Sequence, residues 1–207
     1  MTTTTTTEHA PIRCGWCSTD PLYQHYHDTE WGVPVRDAQR LFEKICLEGQ
    51  QAGLSWITVL KKRARYRQQF FDFDPTQVAL LSDADLAERC LDAGLIRHIG
   101  KLTAIRDNAR AWLALSDKLL EQDSDLVTWL WSFVGGQTQL NHLAHYTDGV
   151  SQTEASVAMS KALKKAGFRF VGPTTCYAFM QSMGMINDHS TDCFRYAELA
   201  QTQAQRP

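Results

Sequence analysis

Apolar residues in this chain recur every three or four positions, segment after segment, and almost nowhere do they alternate. Residues three and four apart share one face of a helix, whereas a half-buried strand needs a period of two. In "DAQRLFEKICLEGQQAG", Asp37 stands where an N-cap belongs and Leu41, Phe42, Ile45 and Cys46 follow at helical spacing. "SDADLAERCLDAG" sets Ser82 and Asp85 in capping-box positions, with Gly94 as a C-terminal stop. "GKLTAIRDNARAWLAL" spaces Leu102, Ile105, Ala109 and Trp112 in the same way. "DSDLVTWLWSFVGG", "SQTEASVAMSKALKKAG" (ending at Gly167) and "TTCYAFMQSMG" (after Pro173) complete the pattern. It predicts an all-α fold with short loops and one long polar connection, "GGQTQLNHLAHYTDGVSQ". At 207 residues and 43% hydrophobic, the chain has the means for one domain, or two small lobes on a shared core.

The opening "MTTTTTTEHAP" is polar and repetitive, without the basic and apolar regions of a signal peptide, and reads as a disordered tail over 1–11. No apolar run approaches the roughly 20 residues that span a bilayer. A cytoplasmic protein with reduced cysteines is therefore expected, which favours metal-bound or buried thiols over disulfides. A formal charge of −2 argues against a general nucleic-acid binder. Locally, "KKRARYR", "IRHIGK" and "SKALKKAGFR" are basic, although any one such run is ordinarily a solvated helix face.

Three groupings carry chemistry. Near the N-terminus, "CGWC" and "YQHYHD" supply Cys14, Cys17, His25 and His27; near the C-terminus, "NDHSTDC" supplies His189 and Cys193. One pair from each end can build a tetrahedral Cys2His2 zinc site that ties the two termini together. Unligated buried or surface thiols are one competing reading; a thioredoxin-like redox pair at Cys14 and Cys17 is another, but it calls for a strand before the first cysteine, and none is indicated. Second, Glu48 falls on the same face as Leu41 and Ile45. An acid on an apolar face must cap an amide, pair with a neighbouring arginine, or face a pocket. "EGQQAGLSW" follows with two glycines and Trp56, and "YQHYHDTEW" brings Tyr23, Tyr26 and Trp31 into a polar stretch, with Trp16 close by. Third, "GFRFVGPTTCYAFMQ" reads as a helix end at Gly167, a short apolar hairpin from Phe168 to Gly172, and a new helix whose first N–H groups can hold a phosphate. Lys161, Lys164, Lys165 and Arg169 precede it. An ordinary helix–helix corner has the same outline.

These strings together resemble the DNA-3-methyladenine glycosylase I family of the helix–hairpin–helix glycosylase superfamily. "RCGW", "DPLYxxYHDxEWGVP", "LFExICLEGxQAGLSWxTVLKKR", "SKALKKxGFxFVGxTxCYxFMQ" and "NDH" carry the likeness from about Arg13 to Cys193. The resemblance implies a helix–hairpin–helix fold over 12–195, with 196–207 a flexible tail. It implies one structural zinc on Cys14, His27, His189 and Cys193, leaving Cys17 and His25 unused. It implies a monomer that binds double-stranded DNA containing 3-methyladenine, flips the base out, hydrolyses its N-glycosidic bond and releases free 3-methyladenine. It places Glu48 as the catalytic and base-recognising carboxylate, Tyr26 and Trp56 against the base with Tyr23, Trp16 and Trp31 near, and Gly172, Lys165, Gly53 and Leu54 on the DNA. Pro173, Thr174 and Thr175 stand where bifunctional members of the superfamily carry a lysine, so a monofunctional enzyme is expected. Asp188, the nearest later acid, is given no catalytic role.

Overall fold

Short polar residues start the helices where the sequence expects them. The computed structural model describes residues 10–204. Asp20 accepts from the N–H groups of Leu22 and Tyr23 at the head of α1 (Pro21–Thr29). Asp37 accepts from Arg40 N at 2.8 Å and opens α2 (Ala38–Gln50). Each such cap satisfies a donor that the helix leaves unpaired and is worth about 1 kcal/mol. Then come α3 (Trp56–Leu60), α4 (Arg63–Gln69), α5 (Pro75–Val78) and α6 (Asp83–Arg89). Ser82 and Asp85 form the expected capping box on α6, but that helix ends at Cys90 rather than Gly94. Gly94 lies beyond it in a turn held by Asp92, whose carboxylate accepts the glycine N–H at 2.7 Å.

The long central helix α7 (Ile99–Leu120) buries Leu102, Ile105, Ala109 and Trp112. With α8 (Leu126–Ser132) it packs on α2, which also lies against α10 (Pro173–Ser182). Trp131, Tyr66, Phe42, Phe70, Phe73 and Phe179 fill the core; truncating any one to alanine costs about 3–5 kcal/mol.

α9 (Glu154–Lys165) and α10 are joined by a tight turn. Gly167, at φ +99°, ends α9, and its N–H and that of Phe168 return to Lys164 and Leu163 at 3.0 Å each. Phe168 and Val171 bury their side chains, and Ser160 Oγ donates to Val171 O at 2.6 Å. Asn108 on α7 clamps the backbone of Arg169 from both sides, accepting its N–H at 2.7 Å and donating to its carbonyl at 3.2 Å. Gly49 on α2 abuts the same turn. A Cβ there would sit 3.1 Å from Phe170 Cβ, so a larger residue would have to push the turn back by a few tenths of an ångström.

Two expectations need correction. The polar connection after α8 is not wholly irregular: β1 (Gln139–Leu140) pairs in parallel with β2 (Ile186–Asn187), Gln139 opposite Ile186, and Leu143 bridges Ser190. Two-residue strands leave no alternation to read. Nor is 196–207 a free tail as far as it is described. α11 (Phe194–Ala204) runs through it and buries Leu199. The Thr-rich start lies outside the described residues over 1–9, as do 205–207.

Candidate active site and metal cluster

The six residues expected to hold a base come from five stretches of chain and line one cavity of about 160 Å³. Trp16 arrives on a single 3-10 turn, Gly15–Cys17. Tyr23 and Tyr26 stand one turn apart on α1, and Trp31 follows that helix. Glu48 comes from the last turn of α2, and Trp56 is the first residue of α3. Gln51, Ala178 and Gln181 complete the wall. The rings meet edge to face or tilted: Trp16–Trp31 at 4.9 Å, Trp16–Tyr23 at 5.0 Å, Tyr26–Trp56 at 5.5 Å between centroids. The indole N–H groups of Trp16 and Trp56 are buried without partners among the described residues. A buried donor left unpaired costs about 1–3 kcal/mol and invites a ligand acceptor. Larger spaces exist, one of about 280 Å³ behind Tyr26 and one of about 440 Å³ between α7, α8 and α9. Neither joins a carboxylate to a set of rings, so chemistry rather than size singles out the smaller cavity.

Glu48 is 5% exposed, and its partner is not the arginine that an inward acid suggests. It is Lys44, one turn earlier on α2, whose Nζ lies 3.0 Å from Glu48 Oε1. The same ammonium donates to the Tyr26 hydroxyl at 2.7 Å and sits 3.3 Å from the centre of the Trp56 ring. Burial pushes Lys44 down to about 8, against the pull of Glu48. Burial, with Glu48 adding to it, raises Tyr23 to about 12 and Tyr26 well above its ordinary value, so both phenols are neutral.

Behind the rings, the sulfurs of Cys14 and Cys193 and a nitrogen of His27 lie within 4.8 Å of one another, all buried. His27 Nδ1 meets Asp28 Oδ1 at 2.8 Å, and Arg13 in turn holds Asp28, so Nε2 is left to face Cys193 Sγ at 3.5 Å. A carboxylate behind an imidazole is a common way of orienting a metal ligand. The two neighbouring thiols act on each other, which lowers Cys193 and, with burial, raises Cys14. His189 lies outside this triad, but its ring is 5.1 Å from that of His27. Its Nδ1 bonds Asn187 at 3.1 Å, and its Nε2 is buried with no partner among the described residues. Burial and then His27 hold His189 down at about 3, so it is neutral and its Nε2 lone pair is free. Two thiols, an oriented imidazole and a second, orphaned imidazole fit a soft divalent metal. Cys17 is buried outside the cluster, and His25 is exposed. The cluster backs the pocket, because Trp31 meets the His189 ring at 4.5 Å.

The basic runs divide. Lys61, Arg63, Arg65 and Arg67 pair with Asp20, Glu30, Asp92 and Glu43, so this stretch is committed to structure. Lys101 donates to the carbonyls of Gln50 and Ala52, at 2.9 and 2.6 Å, and so fixes the loop of Gly53 and Leu54. Gly53 takes φ +75°, and Leu54 is 43% exposed beside the pocket residue Trp56. Lys161, Lys164 and Lys165 remain exposed next to the α9–α10 turn. Gly172, at φ −65°, is the N-cap of α10 and offers no side chain to its first N–H groups.

The model of the methyladenine glycosylase family matches residues 16–196. The chain belongs to that family. It is 54% identical to DNA-3-methyladenine glycosylase 1 of Escherichia coli strain K12 over 185 residues, 89% of this chain and 96% of that one. It is 53% identical to DNA-3-methyladenine glycosylase of Haemophilus influenzae over 87% of this chain and 96% of that one. Among solved structures, a crystal structure of 3-methyladenine DNA glycosylase I superposes with a TM-score of 0.84 at 53% identity, covering 88% of this chain and 98% of that one. The Staphylococcus aureus 3-methyladenine DNA glycosylase I, solved to explain recognition of 3-methyladenine, superposes at 0.85 with 34% identity, over 91% of this chain and 98% of that one.

Within this family fold, sequence reasoning missed two groups at the pocket. Lys44 reads as a solvent-facing lysine, yet spacing alone puts it one turn from Glu48. Gln181 reads as a polar position on α10, yet its amide donates to Asp188 at 2.7 Å as it lines the cavity.

Proposed function

We propose that this protein is a DNA glycosylase that removes 3-methyladenine from double-stranded DNA by hydrolysis, releasing the free base and leaving an abasic site. One observation carries the reading: a buried carboxylate, Glu48, opens onto a cavity walled by Trp16, Tyr23, Tyr26, Trp31 and Trp56. Methylation at N3 makes adenine a cation while it is joined to deoxyribose. Ring faces attract a cation, and a desolvated carboxylate accepts hydrogen bonds from the N–H edge of the base. Neutral adenine gains less from both. The cationic base is already a good leaving group, so the protein's work is to hold it apart from the sugar and to stabilise the charge that develops there. Lesion specificity and rate both run through Glu48, with Tyr26 and Trp56 against the base and Tyr23, Trp16 and Trp31 shaping the wall.

The relatives named for 3-methyladenine, and a variant of the family's enzyme solved with 3-methyladenine (TM-score 0.84, 33% identical), support this substrate. In the proposed complex the α9–α10 turn acts as the DNA-binding hairpin. A phosphate sits on the uncapped start of α10 at Gly172, beside Lys165. The base is flipped into the cavity, and Leu54, on the loop begun by Gly53, fills the space it leaves. A monomer suffices for this. No lysine follows Gly172, so we assign no lyase step. A single zinc on Cys14, His27, Cys193 and His189 would cross-link the two ends of the chain. These residues hold the N-terminal aromatic segment against β2 and α11.

Glu48→Gln tests the reading. It keeps the shape, removes the charge and turns one acceptor into a donor facing the N–H groups of the base. Losing one charge-assisted hydrogen bond is worth about 1.5–3 kcal/mol, or roughly ten- to a hundredfold in rate. Single-turnover excision from 3-methyladenine DNA should fall by that factor. An unchanged rate in folded protein would refute the role of Glu48.

A further inference from the structure

The ammonium of Lys44 lies against the same two groups that the proposed lesion needs, the carboxylate of Glu48 and the face of Trp56, and approaches them from behind. It lines the charged cavity on the far side of Tyr26 rather than the base cavity, so it takes no space from a base. Its side chain is 7% exposed and that of Glu48 4%, so little water stands between them. In such a site one unit of charge acts over several ångströms.

We infer that Lys44 sets the specificity of the pocket: its ammonium offsets the charge with which Glu48 and Trp56 attract a cationic base, and the lesion binds most strongly once Lys44 is neutral. The inference rests on the proposed role of Glu48. With Lys44 charged, a cationic base joins one anion and one cation, and the buried site carries a net positive charge. With Lys44 neutral, base and carboxylate balance. Lesion capture thus exchanges the cation of Lys44 for the cation of the base, and the ammonium gives up one proton to solvent. Other titratable or charged groups surround the cavity that Lys44 lines: Glu48, Glu43 and Arg40 from α2 with Asp37 and Arg36 before it, Tyr26 and Glu30 from the α1 side, Arg63 and Arg67 from α4. Glu30 and Glu43 are held by Arg63 and Arg67 respectively, and the Tyr26 phenol is neutral, which leaves Lys44 as the group free to change. Burial already places it near 8 before any lesion arrives.

The sign follows from linkage. Below about 8 the free protein carries a proton on Lys44 that the complex lacks, so capture of a cationic lesion strengthens as pH rises, by up to about tenfold per unit, and levels above 8. The probe is a duplex with one 3-methyladenine. The reference is the same duplex with 3-deaza-3-methyladenine, an uncharged isostere, followed by binding. Wild-type single-turnover excision at subsaturating enzyme should rise and level in this way, while affinity for the isostere stays flat. Lys44→Met should excise roughly tenfold faster or more near pH 7 and lose the rise, because one opposing charge is gone. Lys44→Arg, which keeps its charge at every usable pH, should be slower than wild type throughout.

The reverse order, with Lys44→Arg equal to wild type and Lys44→Met defective, would overturn the inference and make Lys44 a support for an ionised Glu48. So would a Lys44→Met profile that keeps the wild-type rise. Should neither variant fold, parallel wild-type curves on the charged and uncharged probes overturn it, and divergent ones support it. The two readings fail separately. An unimpaired Glu48→Gln removes the role of Glu48 on which this inference rests, whereas an impaired Glu48→Gln beside the wrong order of Lys44 variants removes only Lys44.

Discussion

Replacing Asp188 by asparagine separates structure from chemistry at the first acid after the α9–α10 turn. Asp188 is 2% exposed and has no cationic partner among the described residues. Three donors hold it: Asn141 Nδ2 on Oδ1 at 2.6 Å, and Tyr177 Oη at 2.5 Å with Gln181 Nε2 at 2.7 Å on Oδ2. An asparagine can keep its carbonyl toward Tyr177 and Gln181, which turns its new N–H2 onto the amide of Asn141. One charge-assisted bond is then lost outright and two become neutral, which sums to about 2–4 kcal/mol. In a chain of this size each kcal/mol moves Tm by about 2–4 °C, so Asp188→Asn should melt roughly 5–15 °C lower. The carboxylate reaches the cavity only through Gln181, and excision per folded molecule, measured well below Tm in single turnover, should change less than about threefold. An unaltered Tm with a hundredfold loss of excision would refute the reasoning and make Asp188 part of the chemistry.

Cys14→Ser or Cys193→Ser should lower bound zinc, measured by elemental analysis, and lower Tm. Cys17→Ser should do neither, since its sulfur lies outside the cluster; loss of zinc in Cys17→Ser with retention in Cys14→Ser would invert the ligand assignment. Gly172→Phe should fold normally, because a Cβ there meets nothing nearer than Thr175 Oγ1 at 4.0 Å. It should weaken DNA binding and leave binding of free 3-methyladenine intact in a titration; equal loss of both would count against a phosphate grip at this turn.

Much of this was legible in the sequence because helices announce themselves by period and cap. Asp37, Ser82 with Asp85, and the spacing of Leu102 to Trp112 each fix a boundary or a face from local information. Glu48 could be placed on an inward face by the same arithmetic. Lys44 escaped because a lysine is expected to reach water, and only the arrival of Trp56 and Tyr26 from other helices encloses it. The pairing of β1 with β2 depends on two segments more than forty residues apart and on two residues each, too few to leave a pattern. α11 was missed because its few apolar residues look sparse until its own Leu199 is seen to be buried. In the metal cluster, spacing alone left Cys17 and His25 as candidates. His25 is excluded because α1 turns His27 inward and leaves His25 exposed, and Cys17 because its sulfur is buried apart from the triad.

The clamp of Asn108 on Arg169 ties the α9–α10 turn to α7, and the close approach of Gly49 to Phe170 sets it against the helix bearing Glu48. If that turn grips a phosphate, the span from grip to pocket is a fixed length, like the jaws of a set gauge. The protein then has little give with which to chase a base, and the duplex must supply the travel. Time spent at each site would depend on how readily the stack there opens. A 3-methyladenine opposite a mismatched partner should therefore be released sooner than one in a matched pair, with no contact to the opposing base required.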